Sequence, residues 1–404
     1  MKSTLKIIIA FFFAALESYS QTKTDYTKVD ESLNYKLIGT YDISRLNNIL
    51  TKEIPEQVGT KVTYTPAKNA VKLYRVEYWS VIPEQNNKPT KASGLIAIPV
   101  TGLKSMPMIS YQHGTVFGKR QVPSFPEESF ETRLMIAQFA AQGYIVIGAD
   151  YFGLGISEEK EGYLVVKSHQ QACYDMYEIA KKILEKEQVQ PTDLFLTGWS
   201  QGGLVTMAFL EKLENSGVKV KAAGTACGPS DGYIMLNTAL FFPRKIDAPW
   251  LSVGLAMMAC AYEEYYKVPG LVSSFINPEY LDVVKRIYLK DTTLKPQDFT
   301  YDLHKLIRPE CFNPNYLKSS AFGKLASDLN TYKWIIQTPV HMYYGEIDEA
   351  VNIGLAKLPS EYQKALGNNL VESFSTGPDA NHRIGYARAV PEWKIWFDDL
   401  SSKK

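Results

Sequence analysis

Gly198-Trp199-Ser200-Gln201-Gly202-Gly203 follows the apolar run Asp193 to Thr197 and opens a stretch of helical character, Gly202 to Leu213. At a strand-to-helix turn, glycines let the backbone fold sharply and hold a serine in a strained conformation with its hydroxyl raised above a sheet. The helix N-terminus beneath it favours developing negative charge. The plainer reading of the same letters is a Gly-rich turn with no nucleophile, and what lies downstream decides against it. A serine hydroxyl is a weak nucleophile that needs a base, and the base needs an orienting acid. Val340 to Tyr344 reads as a strand and leads into Gly345-Glu346-Ile347-Asp348, which places Asp348 in a loop at the strand's carboxyl end. Glu346 is the rival acid, but its position directly after the glycine puts it in the tight turn. Past one more strand, Gly377-Pro378-Asp379-Ala380-Asn381 leads to His382 in the loop before the last helix. His169 falls in a helix, His304 in an insertion and His341 within a strand, so His382 is the base by elimination as well as by place.

Acyl transfer through a serine also needs preorganised donors for the oxyanion. Met106 to Tyr111 reads as a strand that ends in Gln112-His113-Gly114-Thr115. The backbone N–H of Thr115 then faces that of Gln201 across the site, with Gly114 and Val116 as alternatives to Thr115. His113 reads as a brace for this loop in preference to a second base.

The elements that must position these residues alternate. Val71 to Ser80 and Ala92 to Pro99 form an antiparallel hairpin, expected at the edge of a sheet. After Met106 to Tyr111 come a helix from about Phe130 to Gly143, the apolar run Tyr144 to Gly148, a helix from about Val165 to Glu187, the strand Asp193 to Thr197, a helix, and the strand Val220 to Ala226. Near-continuous apolar strands separated by helices give a mostly parallel sheet covered on both faces. From Gly228 to Tyr332 the alternation stops in favour of an aromatic-rich helical insertion. Strands resume at Val340 to Tyr344 and Leu370 to Phe374, and a helix from about Val390 to Leu400 closes the chain. Residues 71–227 and 333–404 thus form the core, and residues 21–70 a polar N-terminal extension with one short helix near Ile43 to Leu50.

Two segments bear on substrate. Asp150-Tyr151-Phe152-Gly153-Leu154-Gly155 leaves a strand where α/β sheets place their sites, so Tyr151 and Phe152 either wall a pocket or pack as core. Trp250 to Tyr262 is apolar nearly all round, so Met257 and Met258 either line an acyl pocket or fill the insertion's own core.

Composition narrows the classes further. The 404 residues carry 45% hydrophobic and 22% charged residues with a formal net charge of +1, so no cationic excess exists to neutralise a nucleic acid. With 26 Tyr, 18 Phe and 6 Trp the chain has ample apolar surface for a large core. Lys2 and Lys6 before the apolar run Ile7 to Leu16, then Glu17-Ser18-Tyr19-Ser20, read as a signal peptide cleaved near Ser20, with no stable membrane insertion because the run is far short of the ~20 residues a bilayer requires. Export to the periplasm or beyond puts Cys173, Cys227, Cys260 and Cys311 where disulfides form, with Cys260 and Cys311 in one segment as the first pair to test and four buried thiols as the alternative. Metal-ligand spacings are absent and no cofactor is implied.

Taken together, Ala92-Ser93-Gly94 with Pro99, Gln112 to Thr115, Gly143-Tyr144 with Asp150 to Gly155, Gly198 to Gly203 and the Asp348 and His382 loops resemble the α/β-hydrolase superfamily, and within it the secreted lipase and esterase group that includes the fungal secretory lipases. The likeness covers about Val71 to Leu400, with the insertion matched only in location. It implies a Ser-His-Asp triad, a helical cap after the sixth strand and a small-molecule or lipid ester substrate. Gln112 and Gln201 depart from the more apolar site that lipases often have, which bears on long-chain substrates. A prolyl-oligopeptidase-type peptidase shares the chemistry, but no propeller-sized domain precedes the sheet. A binding protein that keeps this fold without turnover usually loses part of the triad, and here each member has a candidate.

Overall fold

The computed structural model describes residues 26–402, so the leader read at residues 1–20 lies outside the described residues. Its centre is one ten-stranded sheet. The strands are β1 (Thr27–Asp30), β2 (Leu33–Tyr41), β3 (Val71–Ile82), β4 (Lys88–Pro99), β5 (Ser105–Gln112), β6 (Ile145–Ala149), β7 (Gln190–Trp199), β8 (Ala222–Ala226), β9 (Val340–Tyr344) and β10 (Val371–Ser375). Their order across the sheet is β1-β2-β3-β4-β6-β5-β7-β8-β9-β10. Pairing is antiparallel from β1 to β6 and parallel from β6 through β10.

The parallel strands read as unbroken apolar runs because each of their faces meets a different core. In β5, Met106 and Met108 enter one core while Ile109 and Tyr111 enter the other. Leu194 and Leu196 of β7 likewise oppose Phe195. The helices Val166–Lys186 and Gln201–Asn215 cover the first face, and Phe130–Gln138 with the last helix, His382–Ser402, covers the second.

Several expectations change. The polar stretch read as an extension contributes β1 and β2, and β2 pairs with β3 from Leu33 opposite Tyr78 to Tyr41 opposite Val71, with one register shift between Leu37 and Gly39. The β3–β4 hairpin is therefore internal to the sheet. The insertion accordingly leaves after the eighth strand of this sheet, since two strands precede the six read from sequence. The alternation in Leu33-Asn34-Tyr35-Lys36-Leu37 is the half-buried signature that the polar composition masked.

The last helix also begins earlier than Val390. Pro391 lies in the helix interior, where it removes the N–H that normally bonds the carbonyl of Ala387. The Tyr64 hydroxyl donates to that carbonyl instead, at 3.1 Å. Pro359 is treated the same way in the helix Ile353–Ala365, between β9 and β10: the orphaned Leu355 carbonyl accepts from the Ser230 hydroxyl at 2.8 Å.

Between β8 and β9 the insertion runs through short helices, of which Leu251–Tyr265 is the longest. It is tied to the core by hydroxyls and by ion pairs, among them Lys160–Glu264 at 2.6 Å. Tyr265 donates to the carbonyl of Lys160 at 2.8 Å and Tyr288 to that of Glu161 at 2.6 Å. Lys290 reaches the buried Glu161 carboxylate at 2.6 Å and the carbonyl of Val116 at 2.8 Å. All four cysteines are buried free thiols, so the Cys260–Cys311 pairing is not formed. Among the described residues no helix is long and apolar enough to cross a membrane.

Candidate active site

The carboxyl ends of β5, β6, β7, β9 and β10 deliver the predicted residues to one place. Ser200 follows β7 directly with φ +57° and ψ −125°, a region that costs a non-glycine residue of order 1–3 kcal/mol. Its surroundings over-determine it. The Ser200 amide donates to the Ala226 carbonyl at 2.9 Å, and a Cβ on Gly202 would stand 1.9 Å from the Gln112 carbonyl oxygen, so only glycine lets the helix start this close to β5.

Ser200 Oγ lies 2.9 Å from His382 Nε2, and His382 Nδ1 lies 2.9 and 3.0 Å from the two oxygens of Asp348. Asp348 and His382 are buried, and Ser200 is 9% exposed. Burial alone would raise the Asp348 pKa. The His382 charge and hydrogen bond, with the amides of Val351 and Ala350 at 2.8 and 2.7 Å, outweigh it and hold the carboxyl below its ordinary value. The rival Glu346 is exposed and accepts from the Ser375 hydroxyl at 2.6 Å, away from His382. His382 is the first residue of the last helix rather than part of a preceding loop. Its amide donates to Glu349 at 3.0 Å, its carbonyl accepts from the Trp199 indole at 3.2 Å, and Trp199 stacks in turn on Tyr386 at 4.9 Å.

Cys227 approaches Asp348 from behind, where its Sγ, an Asp348 oxygen and a His382 ring nitrogen lie within 4.8 Å of one another. Burial first, then the Asp348 charge, pushes the Cys227 thiol pKa well up, so it stays protonated.

The oxyanion loop is held peptide by peptide. The His113–Gly114 peptide is fixed at both ends: its carbonyl accepts from the Tyr151 hydroxyl at 3.1 Å and its N–H donates to Glu131 Oε2 at 2.8 Å. In the next peptide the Gly114 carbonyl lies 2.8 Å from His113 Nδ1. A trans peptide points its N–H opposite its carbonyl, so this contact turns the Thr115 amide away from His113. Among the described residues neither the Thr115 nor the Gln201 amide has an acceptor. His113 faces a second carbonyl, that of Asp150, at 3.2 Å. Burial pushes its pKa down to about 4, so the ring is neutral and its single proton serves one of these two carbonyls. His113 is thus a brace, as its place in the loop suggested.

The proposed pocket residues fall elsewhere. Tyr151, with φ +65°, stacks on His113 at 4.0 Å, and both Tyr151 and Phe152 lie in the core. Met257 and Met258 are buried in the insertion's core and are not among the walls of the cavity their helix borders. The first two turns of that helix form the border: Trp250, Leu251, Gly254 and Leu255 line a cavity of about 80 Å³ with Met235 and Leu355. Three of its walls touch the site. Trp250 lies 6.4 Å from the His382 ring, Tyr163 is 3.1 Å from Thr115 Oγ1, and Ala350 donates to Asp348.

Sequence reasoning missed Glu131, Tyr163 and Trp250 as site residues. Glu131 carries only the signal of an ordinary acid in a helix's first turn, after the Ser129 cap. Trp250 shows in sequence only as the start of an apolar segment.

These features define an α/β-hydrolase fold, and the chain has it. A family model described as serine aminopeptidase, S33, matches residues 125–263. No curated protein sequence matches the chain. Among solved structures it is similar to a candidate hydrolase from Legionella pneumophila, with 22% identity, a TM-score of 0.82 and coverage of 93% of this chain and 99% of that one. It is also similar to a ligand-bound form of the rice cell wall degrading esterase LipA from Xanthomonas oryzae, with 20% identity, a TM-score of 0.75 and coverage of 92% and 98%. Lipase A of Candida antarctica in its closed state is similar at 14% identity and a TM-score of 0.58, over 86% of this chain and 77% of that one.

Proposed function

We propose that this protein is an exported serine hydrolase that cleaves carboxylic esters through an acyl-enzyme. The observation that carries the reading is the continuous hydrogen-bonded chain from Ser200 through His382 to Asp348. Ser200 Oγ attacks the ester carbonyl while His382 Nε2 takes its proton. The Thr115 and Gln201 amides hold the oxyanion, and His382 then returns the proton to the leaving alcohol. Water, activated by the same imidazole, attacks the acyl-Ser200 carbonyl and regenerates the serine. Asp348 keeps the His382 proton on Nδ1 and stabilises the imidazolium.

The walls of the cavity beside Trp250 are largely apolar, and its volume of about 80 Å³ is well below the ~300–1,000 Å³ of sites for drug-sized ligands. We therefore assign it a short acyl group, with the insertion acting as a cap. A Cβ on Gly254 would meet only the Tyr163 hydroxyl, at 3.5 Å, so a larger side chain there grows into the cavity. Gly254→Leu is expected to lower kcat/KM for butyryl esters about tenfold and leave acetyl esters within about twofold, since two methylenes lose roughly 0.8 kcal/mol of burial each. Equal loss on both esters sinks the acyl-pocket assignment.

A second reading, hydrolysis of peptides from their N-terminus, is favoured by the serine aminopeptidase description of the matching family model. Hydrolysis rates on acyl esters of increasing chain length, measured beside an aminoacyl amide and a dipeptide, separate the two. Ester turnover without amide turnover supports the first. Export rests on the leader pattern Lys2 to Ser20, and the intact mass of protein recovered outside the cytoplasm is expected to correspond to a chain beginning at Gln21.

A further inference from the structure

Glu131 is 5% exposed, stands on the helix Phe130–Gln138, and touches neither Ser200 nor His382 by hydrogen bond. A carboxyl group buried this deeply carries a large desolvation cost unless its partners use it. Its partners are specific. One carboxylate oxygen, Oε2, accepts from both the Gly114 amide, at 2.8 Å, and the Tyr111 hydroxyl of β5. Its backbone carbonyl accepts from the Tyr386 hydroxyl of the last helix at 3.4 Å. Gly114 itself is wedged between Glu131 and Trp199: an added Cβ would lie 3.2 Å from Glu131 Oε1 and 3.3 Å from the Trp199 ring and carbonyl. Glu131 thus spans three parts of the site, the oxyanion loop, the end of β5 and the helix that carries the base.

We propose that Glu131 is a positioning residue for the oxyanion site, fixing the His113–Gly114 peptide through the Gly114 amide and so setting the direction of the Thr115 N–H. The inference rests on the ester-hydrolase reading above. The argument is geometric. The Gly114 amide is the only handle on its side of that peptide, because Tyr151 holds the opposite, carbonyl end. Released from Glu131, the peptide pivots about the Tyr151 contact and pulls on the following Gly114–Thr115 peptide, which is then held only through its carbonyl's contact with His113 Nδ1, since glycine offers no side chain to resist. Burial pushes the Glu131 carboxyl up to about 7 against the pull of the Gly114 amide, the Tyr111 hydroxyl and the His382 and Arg383 charges. Either protonation form keeps an oxygen that can accept from Gly114.

Losing a whole oxyanion donor lowers kcat by about 10²–10³, and a misdirected donor falls at or below the low end of that range. The test compares Glu131→Ala and the isosteric Glu131→Gln with the parent, each checked for a native near-ultraviolet circular dichroism spectrum. The readouts are kcat and KM on an acetyl ester and Ki for a trifluoromethyl ketone, whose hemiketal places an oxyanion between the Thr115 and Gln201 amides. The expected result is a kcat about 100-fold lower in Glu131→Ala with KM within about threefold. Ki should rise in step with the loss of kcat/KM, and Glu131→Gln, which keeps an acceptor for Gly114, should restore most of the activity. A folded Glu131→Ala within about threefold of the parent overturns the proposal. So does an activity loss that tracks loss of folded protein while Ki is unchanged in the folded remainder. If Glu131→Ala does not fold, the comparison passes to Glu131→Met, which fills the space without an acceptor for Gly114, with Glu131→Gln as its control; a Glu131→Met whose kcat and Ki stay within about threefold of the parent, or a Glu131→Gln that loses as much as Glu131→Met, overturns the proposal. A parent inactive on esters but active on the aminoacyl amide overturns the ester reading alone, and the same comparison then runs on that amide with a peptidyl trifluoromethyl ketone.

Discussion

Ser200→Ala lowers ester turnover by roughly 10⁴-fold or more and leaves the protein folded, and His382→Ala does the same. The fold is spared because what anchors Ser200 is backbone. Its amide bonds the Ala226 carbonyl and its carbonyl accepts from Gly203, and neither contact needs the hydroxyl. His382 is likewise held through its amide on Glu349 and its carbonyl on Trp199, both of which survive loss of the imidazole. The two side chains act as a unit, so the double variant should lose no more than either single one. Turnover measured on purified protein with matched thermal unfolding curves checks this. A Ser200→Ala protein within about tenfold of the parent would remove Ser200 as the nucleophile.

The parts of the site that announce themselves in sequence are those where chemistry constrains residue type and chain geometry together. Ser200 needs glycines around it and a strand before it, and Asp348 and His382 need strand ends, so all three stand in local patterns that the sheet then brings together. Glu131 has no such pattern. Its role depends on a hydrogen bond to a residue 17 positions away, and locally it looks like any first-turn acid. Tyr151 and Phe152 were placed rightly at the end of β6, but adjacency along the chain does not say which way a side chain turns. The positive φ of Tyr151 swings its ring onto His113 and makes it a support of the oxyanion loop. In the helix Leu251–Tyr265 an all-round apolar composition hides the cavity face, because helical periodicity selects a face only when the other faces are polar. The fold itself failed to show in two places, and for different reasons. β2 was lost in a polar composition, and the last helix extends upstream of a proline whose missing hydrogen bond is made good by Tyr64, a residue 323 positions away.

Asp348→Asn is expected to be nearly as damaging as loss of the nucleophile, roughly 10⁴-fold in kcat, although it changes only one atom. The side-chain oxygen that accepts from Ala350 and Val351 can be kept, so the loop retains its shape. The amide nitrogen then faces His382 Nδ1, where it can only donate. This favours the tautomer with its proton on Nε2, pointing at Ser200 Oγ, against the one held only by the retained oxygen at 3.0 Å, and a ring protonated on Nε2 cannot take the serine's proton. Stability carries a second signature. Because the native carboxyl is held below its ordinary value, the charge contributes stability that is fully present above the unfolded aspartate pKa of about 3.9 and lost as pH falls through the lower folded value. The part of the stability gap between the parent and Asp348→Asn that the carboxylate's charge carries should therefore be lost as pH falls below about 4. Glu346→Gln, at an exposed side chain bonded to Ser375, should stay within about twofold of the parent. Were Glu346→Gln instead the more damaging change, the orienting acid would be Glu346, and the Asp348–His382 contact would be a feature of the resting enzyme alone.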